Sequence, residues 1–165
     1  MKKFFLLLLI LILFDTKSNA EKNIFINTKV NDQILTNLDI EKEASYLKIL
    51  NTKLNQIKND QILHISKNSL INEIIKKNEI KKFFDFNKKL NITDRIFKDF
   101  HNSLGFSDKE EFLIILSQNK TYSEQEIKDK LKIEFLWNRI ILEKFNEIVK
   151  IDKKKLKKKI ENINI

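Results

Sequence analysis

The chain is 165 residues long, 42% hydrophobic, 33% charged and 10% aromatic, with a formal net charge of +9, a balance too apolar for a disordered polymer and sufficient for one globular core. It has no Cys, no Pro and a single Gly. That excludes disulfides, cysteine nucleophiles, thiolate metal sites and a lipid-modified N-terminal cysteine, and disfavours phosphate-cradling loops, nucleophile elbows and many-stranded sheets, which use glycine at positive φ.

Residues 1–20 read as a secretory leader: Lys2 and Lys3 precede an unbroken apolar run over residues 4–14, and Ser18 and Ala20 place small residues where a signal peptidase reads. A spanning helix needs about 20 apolar residues, and this run stops at Asp15, so cleavage after Ala20 is expected and an uncleaved anchor is the alternative. Cleavage leaves 165 − 20 = 145 residues and a balance of 29 − 22 = +7, still basic. The sequence reading places the protein in the periplasm.

Residues 24–30 alternate, with Ile24, Ile26, Thr28 and Val30 on one side, and are followed by Asn31-Asp32 and Ile34-Leu35, the pattern of a strand, a tight turn and a second strand. Asn and Asp are the non-glycine residues best able to enter the left-handed region. Helical signals then take over. Thr36 with Asp39 caps a helix over residues 37–50, carrying Ile40, Ala44, Leu47 and Leu50. Residues 51–59 are polar and read as a loop. Leu70, Ile71, Ile74, Ile75, Ile80, Phe83 and Phe84 mark a second helix ending within residues 87–91, and Thr93 opens a short third one with Ile96, Phe97, Phe100 and Leu104, stopped by Gly105. Capping boxes at Ser107/Glu110 and Ser123/Glu126 start two more helices. The last runs to about residue 150, and its apolar residues, Trp137 among them, span so wide an arc that it must be packed on two sides or meet a partner. The expected architecture is mainly α, with a short N-terminal β-hairpin followed by about five helices: leader at 1–20, helical domain at 21–151, lysine-rich tail or helix at 152–165.

Enzymatic chemistry finds little support. His64 and His101 lie on different segments without zinc-ligand spacing, Ser66 and Ser69 read as helical surface serines, and the carboxylates interleave with Lys as solvated helical pairs. No metal or cofactor is expected, and the chain reads as a non-enzyme. The aromatic residues are more suggestive. Phe83, Phe84, Phe86 and Phe106 crowd one region, and with Trp137 they are the candidate contacts for apolar segments of unfolded polypeptides, a site that gains hydrophobic energy without demanding a sequence. In the tail, Leu156, Ile160 and Ile163 stand at helical spacing among six lysines of residues 153–159. Such a segment suits weak contact with an anionic membrane surface or ordering on a docked partner. Nucleic acid is not an expected partner, because no groove-reading motif accompanies the charge.

The order of these elements, with Val30-Asn31-Asp32-Gln33-Ile34-Leu35-Thr36-Asn37-Leu38-Asp39-Ile40 at the hairpin, Leu70-Ile71-Asn72-Glu73 in the second helix, Leu90-Asn91-Ile92-Thr93-Asp94 at the step into the third, and the charged and apolar run over residues 132–141, resembles the N-terminal domain of the SurA family of periplasmic chaperones. Gln33 stands where that family has glycine or glutamate. The likeness covers residues 24–160. It implies a mainly helical fold and an ATP-independent holding activity toward unfolded outer-membrane or envelope proteins. Parvulin-type isomerase domains are glycine-rich, and one Gly does not supply them, so prolyl isomerase activity is not implied. The alternative function is an adaptor or accessory subunit that docks on one specific envelope partner through the last helix, and self-association is the other partner reading.

Overall fold

The computed structural model describes residues 23–146. The leader, the tail and the expected continuation of the last helix to residue 150 lie outside the described residues. The architecture is mainly helical with an N-terminal hairpin: strands β1 (Ile26–Val30) and β2 (Gln33–Thr36), then α1 (Asn37–Leu50), a 3₁₀ turn (Thr52–Gln56), α2 (Asn59–Ile80), α3 (Thr93–Ser103), α4 (Lys109–Gln118) and α5 (Glu124–Phe145).

The strands pair antiparallel with Thr28 opposite Leu35 and Val30 opposite Gln33, and the register shifts between Ile26 and Thr28. Asn31 takes φ 53° at the turn, the left-handed conformation that its short amide side chain tolerates. A two-stranded hairpin is marginal in water. This one is held because Leu35 and Val30 pack on Ile40, Leu70 and Ile74 of the first two helices. Asn37 fastens the incoming chain: its side-chain oxygen accepts from the Phe25 amide at 3.0 Å and its side-chain nitrogen donates to the Asn23 carbonyl at 3.1 Å.

Helix α1 has the expected bounds and a complete capping box, with Thr36 accepting from the Asp39 amide and Asp39 accepting from the Thr36 amide. Helix α2 starts at Asn59, eleven residues earlier than the apolar pattern from Leu70 suggested. Its buried stripe is Ile62, Ser66, Leu70 and Ile74, a regular i, i+4 series. Ser66 interrupts that series in the sequence. It is fully buried instead of surface-exposed, and its hydroxyl is satisfied by donating to the Ile62 carbonyl at 2.7 Å.

The end of α2 also differs from expectation. The helix stops at Ile80, and Phe83, Phe84 and Phe86 occupy turns beyond it. Their helical spacing misleads because the chain closes on itself at this point, with the amides of Lys82, Phe83 and Phe84 donating to the Glu79 and Ile80 carbonyls, and the Lys132 ammonium then donates to the carbonyls of Phe86 and Lys88 in the turns that follow. At α3 the N-cap is Ile92, without a side-chain cap, and Thr93 is the first helical residue. At α4 the cap is Asp108, accepting from the Glu110 amide at 3.1 Å, in place of Ser107. Both residues are good caps, and Asp108 is the one adjacent to the first turn. The Ser123/Glu126 box starts α5 as expected.

Two helix ends are closed by the same motif. After α3, Gly105 at φ 92° donates to the Asn102 carbonyl and Phe106 to the His101 carbonyl; after α4, Lys120 at φ 51° donates to Ser117 and Thr121 to Leu116. These are paired 5→2 and 6→1 bonds around a left-handed residue. His101, buried, completes the first with a ring hydrogen bond: Nδ1–H donates to the Phe106 carbonyl at 2.8 Å.

The two long helices run parallel, since Glu73 meets Lys130 and, one turn on in each, Lys76 meets Glu134. Three apolar clusters result. Tyr46, Phe97, Phe112, Leu116 and Ile127 join α1, α3, α4 and α5. The hairpin cluster lies over α1 and α2. Ile80, Ile133, Leu136 and Ile140 join the end of α2 to α5.

Candidate functional site

The third cluster positions most of the aromatic residues singled out from the sequence. Phe84, Phe86 and Trp137 are half-buried against Ile80, Ile133, Leu136 and Ile140. Each phenylalanine meets cations: Phe86 has the ammoniums of Lys132 and Lys77 at 4.7 and 5.0 Å from its ring centre, and Phe84 has the Arg139 guanidinium at 5.3 Å. Lys132 is itself buried. Its two carbonyl partners and the Phe86 ring supply the negative potential that an ammonium out of water requires.

Phe83 is 57% exposed, although its amide is tied to the Ile80 carbonyl at 3.0 Å. Phe106 is not part of this group. Its ring packs on Phe112 at 5.2 Å between centres, in the cluster of α3 and α4. The structure thus assembles four of the five candidates at the end of α2 and the second half of α5, and separates the fifth.

That end exposes further apolar side chains. On α5, Ile141, Leu142 and Phe145 are 36%, 69% and 43% exposed. They stand at i, i+1 and i+4 and so share one side of the helix. The sequence signal for them was the width of the apolar arc on this helix. A second exposed apolar set lies at the start of the hairpin, where Ile24, Phe25, Ile26 and Ile34 all face solvent.

A polar cluster that sequence reasoning missed lies between the helices. Glu43 of α1 is buried and accepts three hydrogen bonds: from Ser69 at 2.7 Å, from the Tyr122 hydroxyl at 2.7 Å and from the Lys130 ammonium at 3.0 Å. Lys130 also bonds Glu73 and lies 4.4 Å from the centre of the Tyr122 ring. Tyr46 and Tyr122 meet edge to face at 5.2 Å. Burial, and after it the nearby Glu43 carboxylate, pushes the hydroxyls of Tyr46 and Tyr122 well above the ordinary tyrosine range. Glu43 and Glu73 are therefore two carboxylates sharing one ammonium, and not the solvated helical partners the sequence suggested. The available signal was Glu43 on the apolar stripe of α1, between Ile40 and Leu47.

The cluster borders a cavity of about 320 Å³ lined by residues that include Leu47, Leu50, Asn72 and Phe100. Its chemistry is that of a structural tie. Glu43 accepts from α2, from the segment ahead of α5 and from α5 itself, and Lys130 bridges it to Glu73, so the cluster ties three helices together. Among the described residues no buried side-chain nitrogen or oxygen lacks a partner, and no helix is long and apolar enough to cross a membrane.

Comparison with known proteins finds no matching family model, no matching curated protein and no matching solved structure.

Proposed function

We propose that the protein is an ATP-independent periplasmic chaperone of the holdase type, which binds apolar segments of unfolded outer-membrane or envelope proteins. The observation that carries this reading is the exposure of Phe83, Ile141, Leu142 and Phe145 beside half-buried Phe84 and Trp137. Apolar side chains in water at the end of a well-packed bundle are available to a chain that has not yet buried its own. The turn beneath them is tied to α5, where Lys132 donates to the Lys88 carbonyl and Arg139 covers the Phe84 ring. Location in the periplasm rests on the leader at residues 1–20.

A second reading, an adaptor docking on one envelope partner, is favoured by a different feature: the apolar stripe of α5 is a single helical face, the form in which one helix meets a defined groove. Light scattering separates the two. A holdase suppresses aggregation of several unrelated denatured envelope proteins without ATP. Failure to suppress any of them at several-fold excess, with one stoichiometric partner recovered in pull-downs, refutes the holdase reading in favour of the adaptor.

A further inference from the structure

The cavity beside the Glu43 cluster combines apolar surface with an unbalanced set of charges. Leu47 and Leu50 of α1, Phe100 of α3 and Leu131 of α5 supply the apolar part, each half-buried and packed on the first apolar cluster. The charged lining consists of three carboxylates, Glu43, Glu73 and Glu134, and two ammoniums, Lys76 and Lys130. Both ammoniums are already committed. Lys76 donates to the two oxygens of Glu134, and Lys130 is divided between Glu43 and Glu73. Lys42, which lies over the Tyr122 ring, is paired with Glu126. The lining is therefore short of one positive charge, and the shortage falls on the two carboxylates that share Lys130.

At Glu43 neutral donors make up for it, since Ser69 and the Tyr122 hydroxyl also give it hydrogen bonds. Glu73 has no such help. Lys130 takes its Oε2, and its Oε1 has no donor among the described residues. The negative potential reaches Tyr46, whose hydroxyl is held above its ordinary range by burial and then by Glu43 and Glu73, although Lys130 lies 5.7 Å from its ring centre. Asn72 and Glu134, which neighbour Glu73 in the lining, are exposed, so the cavity reaches solvent on that side. Its volume of about 320 Å³ stands at the lower end of the range for small-molecule sites, about 300–1,000 Å³.

We infer that this cavity is a binding site for a small organic cation, an ammonium that takes the free oxygen of Glu73, carried on a short aryl or alkyl body that lies against Leu47, Leu50, Phe100 and Leu131. The charge balance selects a cation over an anion, and the apolar surface selects an organic cation over a hydrated inorganic one. Among the described residues no group of His, Asp and Glu is placed to hold a metal ion. The inference does not rest on the holdase reading, because none of the exposed apolar residues invoked there lines this cavity.

The test is isothermal titration calorimetry of the purified protein with phenethylamine, an ammonium at neutral pH. Phenethyl alcohol, the same body without the charge, and methylamine, the charge without the body, are the comparisons. Phenethylamine binds at one site with a Kd on the order of 1 mM or tighter, about tenfold or more below that of either comparison. Glu73→Gln lowers its affinity to that of the alcohol and leaves the alcohol unchanged. Leu131→Phe, which fills the cavity, weakens both, whereas Glu111→Gln, at an exposed carboxylate on α4, changes neither. Helical circular dichroism is unchanged in each variant. A rise in melting temperature with phenethylamine, lost in Glu73→Gln, gives a readout independent of the heat of binding.

Equal affinity for the amine and the alcohol overturns the inference, because the charge then contributes nothing. Equal affinity for phenethylamine and methylamine overturns it through the apolar wall. So does amine binding that survives Glu73→Gln, or the absence of any saturable binding up to about 10 mM.

Discussion

Replacing Lys130 by Met removes the one ammonium that, among the described residues, bonds a carboxylate with almost no access to water. The Glu43 side chain is 2% exposed and that of Lys130 13%, whereas Glu73, the other partner, reaches solvent and is expected to lose little. Removing one member of a buried pair costs about 3–5 kcal/mol. One feature holds the present case toward the lower end: Ser69 and Tyr122 continue to donate to Glu43. The expected destabilisation is about 3 kcal/mol, seen as a fall in melting temperature on the order of 10 °C. Urea denaturation followed by circular dichroism measures it. A loss below about 1 kcal/mol refutes the assignment of this cluster as a tie between α1, α2 and α5.

The two left-handed helix ends predict opposite effects. Gly105→Ala costs about 1 kcal/mol from backbone strain alone, since a Cβ at Gly105 meets nothing within 4 Å, whereas Lys120→Gly stabilises by roughly 0.5–1 kcal/mol by relieving the same strain; thermal melts of both variants check the pair. Lys132→Met leaves the carbonyls of Phe86 and Lys88 without their donor, costing about 1–3 kcal/mol, and frees the aromatic turn, which a red shift in the fluorescence of the single tryptophan, Trp137, would register. Both tyrosines of the chain, Tyr46 and Tyr122, have hydroxyls raised by burial. Their contribution to stability is therefore complete below pH about 10 and declines as pH rises beyond it, so absorbance titration shows tyrosinate forming only with unfolding, and ionisation near pH 10 in an intact fold contradicts the buried assignment.

Local chemistry carried much of the fold into the sequence. The Thr36/Asp39 and Ser123/Glu126 boxes, the Asn31-Asp32 turn and the Gly105 stop each depend on residues a few positions apart, and the structure uses all four as expected. What was not legible depends on distant partners. Ser66 reads as polar until the buried series from Ile62 to Ile74 is seen in place, and it hides the first turns of α2 from a periodicity reading. Phe83 and Phe84 continue a helical spacing past Ile80, and the turns they occupy instead are held by Lys132, far along the chain, which donates to the Phe86 and Lys88 carbonyls. The Glu43 cluster draws on α1, α2, Tyr122 just ahead of the α5 cap, and α5 itself. No local pattern encodes it beyond a carboxylate on an apolar stripe. The aromatic surface was partly legible: composition pointed to Phe83, Phe84, Phe86 and Trp137, whereas the exposure of Leu142 and Phe145 follows from where α2 stops relative to the longer reach of α5.

The holding of unfolded chains at this end of the bundle is tested most directly by forming the complex. A denatured outer-membrane protein diluted into the purified protein, without ATP, is expected to remain soluble and to co-elute with it on size exclusion. The Leu142→Ser and Phe145→Ser double variant is expected to lose the complex while keeping its helical spectrum. A client that precipitates regardless of the protein, or a complex that forms equally with the double variant, contradicts the account.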